Sequence, residues 1–230
     1  MLDHSDGIAT SFKPARRQQE SLLAPMEQKA LIGIARRLPE WINSDHLTLL
    51  GFLGMVFAGA CYFYARWSRA GLIGAVLFLA VNWFGDSLDG TVARVRNRQR
   101  PRYGFYVDHI VDAFGAAFLI GGLGLSGYMT GTIALLLIIT YFLLVIEIYL
   151  ATYTVGVFRL SFGIWGPTEL RIMLAIGTIV LLKNPVISIG SEEYLLCDVG
   201  GVVTISALVA FTIFSAIRNT LRLYREEPLR

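Results

Sequence analysis

The segment DSLDGTVAR at residues 86–94, followed by GFYVDHIVD at residues 104–112, decides the fold because both pieces adjoin long apolar stretches. Together they place four aspartates near hydrocarbon: Asp86, Asp89, Asp108 and Asp112. A helix turns about 100° per residue, so spacings of three and four residues put each pair on one helical face. Ionised carboxylates left unpaired at that depth cost several kcal/mol each, and such groups usually serve a function. The pattern therefore predicts two facing helices with an acidic site between them.

Composition indicates an integral membrane protein. Hydrophobic residues make up 55% of the 230 positions and charged residues only 16%, which is typical of a chain that lies largely in a bilayer. Six apolar stretches approach the length of a transmembrane helix. They cover residues 47–65, 72–88, 105–126, 132–153, 167–182 and 199–217. We therefore predict an all-α bundle of six transmembrane helices, in a domain at residues 43–220.

The cationic residues indicate the orientation of this bundle. With six spans, 17 of the 20 lysines and arginines fall on one side, and the other side carries only Arg66, Arg69 and Lys183. Cytoplasmic loops are the ones enriched in lysine and arginine. The pattern therefore predicts a multi-pass membrane protein whose termini and acidic site face the cytoplasm.

The segments outside the bundle are predicted from charge and periodicity. Residues 1–25 are highly charged and lack periodicity, which indicates a mobile cytoplasmic extension, and residues 221–230 form a cytoplasmic tail. Within residues 26–42, apolar side chains recur at helical spacing at Leu31, Ile34, Leu38 and Trp41. This pattern predicts an amphipathic helix on the anionic leaflet, and an ordinary helix packed on the domain explains it equally well.

Carboxylates without neighbouring thiolates favour a hard cation. Oxygen ligands of this kind select Mg²⁺, with Mn²⁺ as the next choice, over zinc. Bound divalent ions would also remove the cost of burying four carboxylates. Two ions about 4 Å apart, bridged by shared aspartates, suit phosphoryl transfer.

Small and cationic residues follow the first aspartate pair. Gly90 and Ala93 would let a bulky ligand approach the helix backbone, and the guanidinium of Arg94 can bind phosphate oxygens in a bidentate manner. Helix packing explains Gly90 and Ala93 as well, and Arg94 alone could be an orienting charge. The complete constellation favours the ligand-binding interpretation.

At these residues the chain resembles the CDP-alcohol phosphotransferase family, whose motif is D-x-x-D-G-x-x-A-R, a short spacer, and G-x-x-x-D-x-x-x-D. Every fixed position is present, with a spacer of nine residues between Arg94 and Gly104. The resemblance implies an enzyme that transfers a substituted phosphate from a CDP-alcohol to a second alcohol and releases CMP. It also implies two Mg²⁺ ions on the four aspartates, membrane lipids as partners, a homodimer and no nucleic acid partner. Gly90 and Arg94 would contact the CDP group.

Three other pieces of the sequence resemble, more weakly, the choline and ethanolamine phosphotransferase branch of this family. They are Trp41 with Asp45 and Thr48 before the first span, the pair Asp108-His109, and Thr168-Glu169. Asp45 and Thr48 match positions that help to hold the nucleotide, although Asp45 stands where the branch has asparagine. The leading substrate pair is then CDP-choline or CDP-ethanolamine with diacylglycerol. The alternative is CDP-diacylglycerol with a soluble alcohol such as serine, inositol phosphate or glycerol phosphate.

The proton acceptor has two candidates under this resemblance. Asp112 is the usual base of the family. If the branch likeness holds, His109 paired with Glu169 would deprotonate the lipid hydroxyl instead, because an imidazole beside a carboxylate titrates near neutral pH. For His109 taken alone, a structural histidine is the better interpretation.

Three other functions explain the sequence less well. A membrane cation transporter leaves Gly90 and Arg94 unexplained, an aromatic prenyltransferase needs more spans, and a non-enzymatic scaffold would release no CMP.

Glu147, within the fourth span, needs either an interhelical donor or an acceptor headgroup. Asn82 would serve the nucleotide or a helix contact. The arginines at positions 96–102 form an orienting loop or attract anions.

Overall fold

The computed structural model describes residues 16–18, 24–159 and 166–229. Seven helices account for most of this part of the chain, which also contains four short strands. In chain order the elements are β1 (Arg16–Gln18), α1 (Ala24–Arg37), α2 (Ser44–Tyr64), α3 (Ala70–Val95), α4 (Pro101–Leu125), α5 (Gly131–Val155), β2 (Val157–Arg159), α6 (Pro167–Leu181), β3 (Val186–Ile189), β4 (Glu192–Leu195) and α7 (Leu196–Glu226). The predicted all-α membrane bundle is confirmed.

Five of these helices, α2, α3, α4, α5 and α7, are long and apolar enough to cross a membrane. Their outer faces carry exposed leucine, isoleucine and phenylalanine side chains, as expected for a surface that contacts lipid. The fifth predicted span, residues 167–182, corresponds to α6, which has only 15 residues. At 1.5 Å per residue α6 is about 22 Å long, shorter than the hydrocarbon layer. The described helices therefore support five full spans, and a sixth crossing stays a prediction.

Close helix crossings hold α2 against α3 and α4. An added Cβ at Gly85 of α3 would lie 2.4 Å from the backbone nitrogen of Gly51 in α2, and one at Gly122 of α4 would lie 2.0 Å from the carbonyl oxygen of Gly59. A side chain at these crossings would push the helices apart, so the close approach requires glycine. Asn82 strengthens the first crossing, because its Nδ2 donates a hydrogen bond to the Gly51 carbonyl at 2.9 Å.

The remaining spans pack beside this core. Helix α5 contacts α4 and α7, and α6 contacts α3. Asp198 in the first turn of α7 accepts a hydrogen bond of 2.7 Å from the backbone N–H of Thr130, at the start of α5. Glu147 of α5 accepts hydrogen bonds from Ser215 at 2.9 Å and Asn219 at 2.8 Å, both on α7. The polar partner that Glu147 requires is therefore interhelical.

The amphipathic helix α1 packs against the motif-bearing half of α3. Leu31 and Ala35 are buried with Leu47, Leu88 and Val92 in one apolar cluster. Lys29, Arg36 and Arg37 are exposed on the outer faces of the same helix. Helix α1 is therefore packed on the domain along one face, while its cationic residues remain available to a membrane surface.

Arg96 follows the last turn of α3 and fixes the end of α1. Its guanidinium donates hydrogen bonds to main-chain carbonyls, which belong to Leu38, Pro39, Glu40 and Ile42. From the sequence, Arg96 was predicted to be one of the loop arginines that orient the chain or attract anions. Its role in the structure is to cap α1 and the turn into α2.

The four strands were not predicted. β1 pairs in parallel with β2, and β3 forms an antiparallel hairpin with β4 ahead of α7. Strand β1 lies within the predicted mobile extension of residues 1–25. Residues 24 and 25 begin α1, and residues 1–15 and 19–23 of that extension lie outside the described residues.

Candidate active site between α3, α4 and α6

Three motif aspartates converge where α3 passes α4. One carboxylate oxygen from each of Asp86, Asp108 and Asp112 lies within 4.8 Å of the other two, and all three residues are half-buried. Asp86 belongs to the second half of α3, and the other two lie one turn apart near the start of α4. Helices α3 and α4 both pack on α2, and helical spacing on the two brings three of the four predicted carboxylates together.

Asp89 turns toward α2 instead. Its Oδ2 accepts a hydrogen bond of 2.7 Å from the hydroxyl of Thr48, and its Oδ1 contacts the backbone N–H of Gly90. Asp89 lies one turn from Asp86 along α3 but is not part of the converging group. Thr48, predicted to hold nucleotide, thus orients Asp89 in this structure.

Arg171 enters the site from α6. Its Nη2 lies 2.5 Å from Oδ2 of Asp86, in an ion pair whose side chains are 17% and 21% exposed. Sequence reasoning counted Arg171 only among the cytoplasmic cations. Its position inside a predicted apolar span is the signal that was missed, because an ionisable residue at such a place usually faces a partner.

Gly90 and Arg94 lie together on the cavity wall. Nη2 of Arg94 donates a hydrogen bond of 3.0 Å to the hydroxyl of Thr91. An added Cβ at Gly90 would lie 3.2 Å from Nη1 of Arg94, so glycine leaves room for this guanidinium to fold back along α3. Both residues line the same cavity as the aspartates.

Asp45 lies apart from this cavity. Its carboxylate forms an ion pair with Arg100 in the loop before α4, and the two side chains are 43% and 49% exposed. Within the described residues, neither Asp45 nor Thr48 lines the cavity. The structure thus places Thr48 against Asp89 and Asp45 against Arg100, both outside the cavity lining.

His109 and Glu169 occupy different local environments. Nδ1 of His109 lies 2.6 Å from the carbonyl oxygen of Phe105, and the imidazole stacks on the Phe105 ring and contacts Tyr149. Because a carbonyl oxygen only accepts, Nδ1 carries a proton in this contact. Oε2 of Glu169 accepts the backbone N–H of Gly166 at 3.0 Å and so caps α6. In the described part of the chain, His109 lines the cavity and Glu169 does not.

The cavity itself has a volume of about 1260 Å³. Its polar end holds the aspartates, Arg94 and Arg171. Its apolar end is walled by side chains from five helices, among them Leu79, Leu119, Leu137, Leu174 and Leu208. The two ends are continuous, so a ligand could place a charged group at the aspartates and a hydrocarbon chain between the helices.

Glu27 of α1 also reaches the polar end. Its Oε1 accepts hydrogen bonds from the indole N–H of Trp83 at 2.7 Å, the hydroxyl of Ser87 at 3.1 Å and the hydroxyl of Thr168 at 2.9 Å. Sequence reasoning did not single out Glu27. No local signal marks this residue, because its three donors lie 56 to 141 positions further along the chain.

Comparison with known proteins identifies the family. The family model described as CDP-alcohol phosphatidyltransferase matches residues 41–216, which is most of the chain and includes both motif segments. The chain therefore belongs to the CDP-alcohol phosphatidyltransferase family, as the motif predicts.

Two curated relatives carry the same name. Archaetidylinositol phosphate synthase of Methanothermobacter thermautotrophicus is 31% identical over 138 residues, or 59% of this chain, and that of Pyrococcus horikoshii is 28% identical over 120 residues, or 52%. The matched region spans 61% of the length of each relative. Neither belongs to the choline and ethanolamine branch, so these relatives do not support the branch likeness at Trp41, Asp45 and His109.

The donor set of the site fits a divalent cation. Asp86, Asp108 and Asp112 offer only carboxylate oxygens within a short span, which is the ligand type of hard ions. The nearby guanidinium of Arg171 provides positive charge at the same place. An acidic group with this separation is compatible with the metal dependence of the family.

Proposed function

We propose that this protein transfers a phosphatidyl-type group from a CDP-activated lipid to a soluble alcohol, with release of CMP. The acceptor class we favour is a phosphorylated polyol such as inositol phosphate, because both relatives are named as synthases of an inositol phosphate lipid. This is the alternative substrate pair of the sequence analysis. It replaces CDP-choline or CDP-ethanolamine with diacylglycerol as the leading pair.

The observation that carries this proposal is the continuity of the cavity. Its polar end lies at Asp86, Asp108 and Asp112, and its apolar end extends between leucines of α3 to α7. A molecule with a diphosphate and long hydrocarbon chains matches this division. The cavity supports a lipid substrate in either pair, and the similarity to the two synthases supports the lipid as the one that carries CDP.

The four motif aspartates are the proposed metal ligands. Asp86, Asp108 and Asp112 would hold Mg²⁺, or Mn²⁺ in its place, and Asp89 would complete a two-ion site from the nucleotide side. When bound, the ions supply positive charge that screens the diphosphate and stabilises the departing CMP. Asp86 is held by Arg171 and Asp89 by Thr48, so two of the four carboxylates are oriented by neighbouring helices.

Asp112 is the proposed base. The acceptor hydroxyl forms a bond to the phosphorus farther from cytidine, the bond from that phosphorus to CMP breaks, and the hydroxyl proton passes to the Asp112 carboxylate. Asp112 lines the cavity beside Asp108. Glu169 is supported better as the cap of α6 than as a partner of the base, because its Oε2 accepts the Gly166 N–H.

Gly90 and Arg94 are proposed to bind the CDP group. Gly90 presents helix backbone to the cavity, and the Arg94 guanidinium lies next to it, where it can form bidentate hydrogen bonds with phosphate oxygens. Asp45 and Thr48 would act from outside the cavity: Thr48 by orienting Asp89, and Asp45 by holding Arg100. We place this site at the cytoplasmic face, where a soluble phosphorylated acceptor is found.

An assay with matched substrate pairs tests the proposal. Purified protein in detergent is given Mg²⁺ and either CDP-diacylglycerol or CDP-archaeol with inositol phosphate, glycerol phosphate or serine, or CDP-choline with diacylglycerol. CMP and labelled lipid are both measured. We expect acceptor-dependent CMP release only with the CDP-lipids, loss of release with EDTA, and recovery with added Mg²⁺ or Mn²⁺.

The matched control is Asp108→Asn, which preserves side-chain size but removes a ligand charge. Product from CDP-choline and diacylglycerol would restore the pair first favoured by the sequence. Absence of CMP release with every pair would overturn the proposal in favour of a non-enzymatic role.

A further inference from the structure

Glu27 lies where three helices meet. It belongs to the first turn of α1, its donors Trp83 and Ser87 belong to α3, and its donor Thr168 belongs to the first turn of α6. Ser87 is adjacent to Asp86, and Thr168 is one turn before Arg171. The carboxylate therefore connects the two helix segments that carry the ion pair between Asp86 and Arg171.

The chemistry of this junction requires an acceptor with several lone pairs. The Oε1 atom accepts from all three donors, and Oε2 also lies 3.1 Å from the Thr168 hydroxyl. A carboxylate has about four acceptor positions and no donor, whereas the glutamine amide keeps only its carbonyl oxygen as an acceptor. Hydrogen bonds to a charged group are also stronger than neutral ones. Glutamine at position 27 would keep the size of the side chain and lose part of this connection.

The position of α1 is fixed at its other end as well. The guanidinium of Arg96 binds the carbonyls that follow α1, and Leu31 and Ala35 pack against α3 between the two polar contacts. Helix α1 therefore runs along the motif half of α3 with a fixed register. Glu27 adds what neither Arg96 nor the apolar cluster provides, a direct contact with α6.

The C-terminal half of helix α6 is held by other contacts, because Thr178 is hydrogen bonded to the Tyr62 hydroxyl of α2 and Leu181 lies in the main apolar core. Within the described residues α6, the shortest of the apolar helices, packs mainly against α3. The cavity separates much of α6 from the opposite helices, since both its side chains and those of α5 and α7 line that space. A hydrogen bond from Thr168 to Glu27 thus restrains the end of α6 that carries Arg171.

We propose that Glu27 is a positioning residue for the transfer reaction, which joins α3 to α6 and thereby holds Asp86 and Arg171 in the geometry that the site requires. The inference rests on the proposed transferase function. Small displacements of groups that act on a diphosphate lower turnover strongly, because the reaction depends on orientation.

Glu27→Gln tests this role, with Glu40→Gln as the matched control. Glu40 follows α1, is exposed, and loses the same charge on substitution. We expect Glu27→Gln to lower kcat and to weaken Mn²⁺ binding, each by roughly tenfold, as substitutions behind metal ligands do. Binding of Mn²⁺ to the purified protein is followed by loss of the free-ion EPR signal, and Tm is measured in parallel. Glu40→Gln should match the unmodified protein in all three measurements.

A double substitution separates positioning from a general loss of stability. Thr168→Val removes the donor on α6, and we expect Glu27→Gln with Thr168→Val to be little worse than Glu27→Gln alone, because both remove one connection. Additive losses, or a lower Tm with unchanged kcat and Mn²⁺ binding, would overturn the inference. If no substrate pair supports transfer, the proposed function fails, and the Mn²⁺ comparison still decides the role of Glu27.

Discussion

Arg171 of α6 and Asp86 of α3 form an ion pair at the polar end of the cavity, 85 positions apart in sequence. Asp86 converges there with Asp108 and Asp112, so a single guanidinium lies against a group of three carboxylates. Charges removed from water need partners, and removal of one partner leaves the other uncompensated. The pair thus links the short helix α6 to the motif and gives α6 a function beyond packing.

Replacement of Arg171 should reveal this function. We expect Arg171→Ala to lower CMP release by roughly 100-fold, comparable to the loss of one charged or donor group at a reacting centre. Arg171→Lys should recover part of the rate, because lysine restores the charge but not the planar, two-pronged geometry. Steady-state rates at saturating Mg²⁺ measure both. Arg225→Ala, in the exposed end of α7, is the control, and an Arg171→Ala rate equal to that of the control would contradict the role.

Asp112 and His109 should respond differently to substitution. Asp112→Asn is expected to lower turnover by a factor of about 10³, within the range for loss of a general base. His109→Ala should retain turnover within a few-fold, because Nδ1 of His109 is engaged by the Phe105 carbonyl and its ring by Phe105 and Tyr149. The measurement is kcat across pH 6 to 9. A His109→Ala loss as large as that of Asp112→Asn, with a changed pH profile, would assign the base to His109.

Part of the acidic site was predictable because it depends on residues that are close together in the sequence. Spacings of three and four residues fix which side chains share a helical face, and the apolar stretches fix which helices lie in the membrane. These two rules place Asp108 and Asp112 on one face of α4 and Asp86 in the preceding membrane helix, and the resemblance of the motif to the family implies that the three share one site. The helices extend beyond the predicted spans at α3 and α7, because helical hydrogen bonding continues after hydropathy falls.

What the sequence could not predict depends on long-range packing. Asp89 points toward Thr48 of α2 and not toward the other aspartates. This orientation depends on how α2 and α3 cross at Gly51 and Gly85. The contacts of Arg171 and Glu27 likewise depend on where α6 and α1 pack. Hydropathy alone does not decide whether α6 crosses the membrane, because an apolar helix of 15 residues has the composition of a membrane segment whether or not it crosses.

The crossing of α2 and α4 makes a prediction about stability. Gly122→Ala should lower the free energy of unfolding by about 1–3 kcal/mol, because the new methyl group would meet the Gly59 backbone, which cannot move as a side chain can. Thermal unfolding in detergent measures the change. Gly121→Ala is the control one position away, where an added Cβ meets nothing within 4 Å. Alanine is the better helix former, so Gly121→Ala should leave Tm unchanged or raise it. Equal behaviour of the two variants would contradict the close crossing.

A substitution at the apolar end of the cavity should change only the binding of the lipid's hydrocarbon chains. Gly177 of α6 lines this space, and an added Cβ there meets nothing within 4 Å, so Gly177→Phe should place a ring in the cavity without disturbing the helix. We expect KM for a long-chain CDP-lipid to rise roughly tenfold, because the ring displaces part of a buried hydrocarbon chain. A short-chain CDP-lipid should be unaffected.

Comparison of the two donors is the internal control for this experiment, since a general defect would impair both. Gly33→Phe, on the exposed part of α1 and outside the cavity, controls for the added ring itself. If Gly177→Phe leaves the long-chain KM unchanged, the hydrocarbon chain lies elsewhere, and the continuity of the cavity no longer supports a CDP-lipid donor. If the variant instead weakens both donors equally, Gly177 acts through the position of α6 and therefore through Arg171.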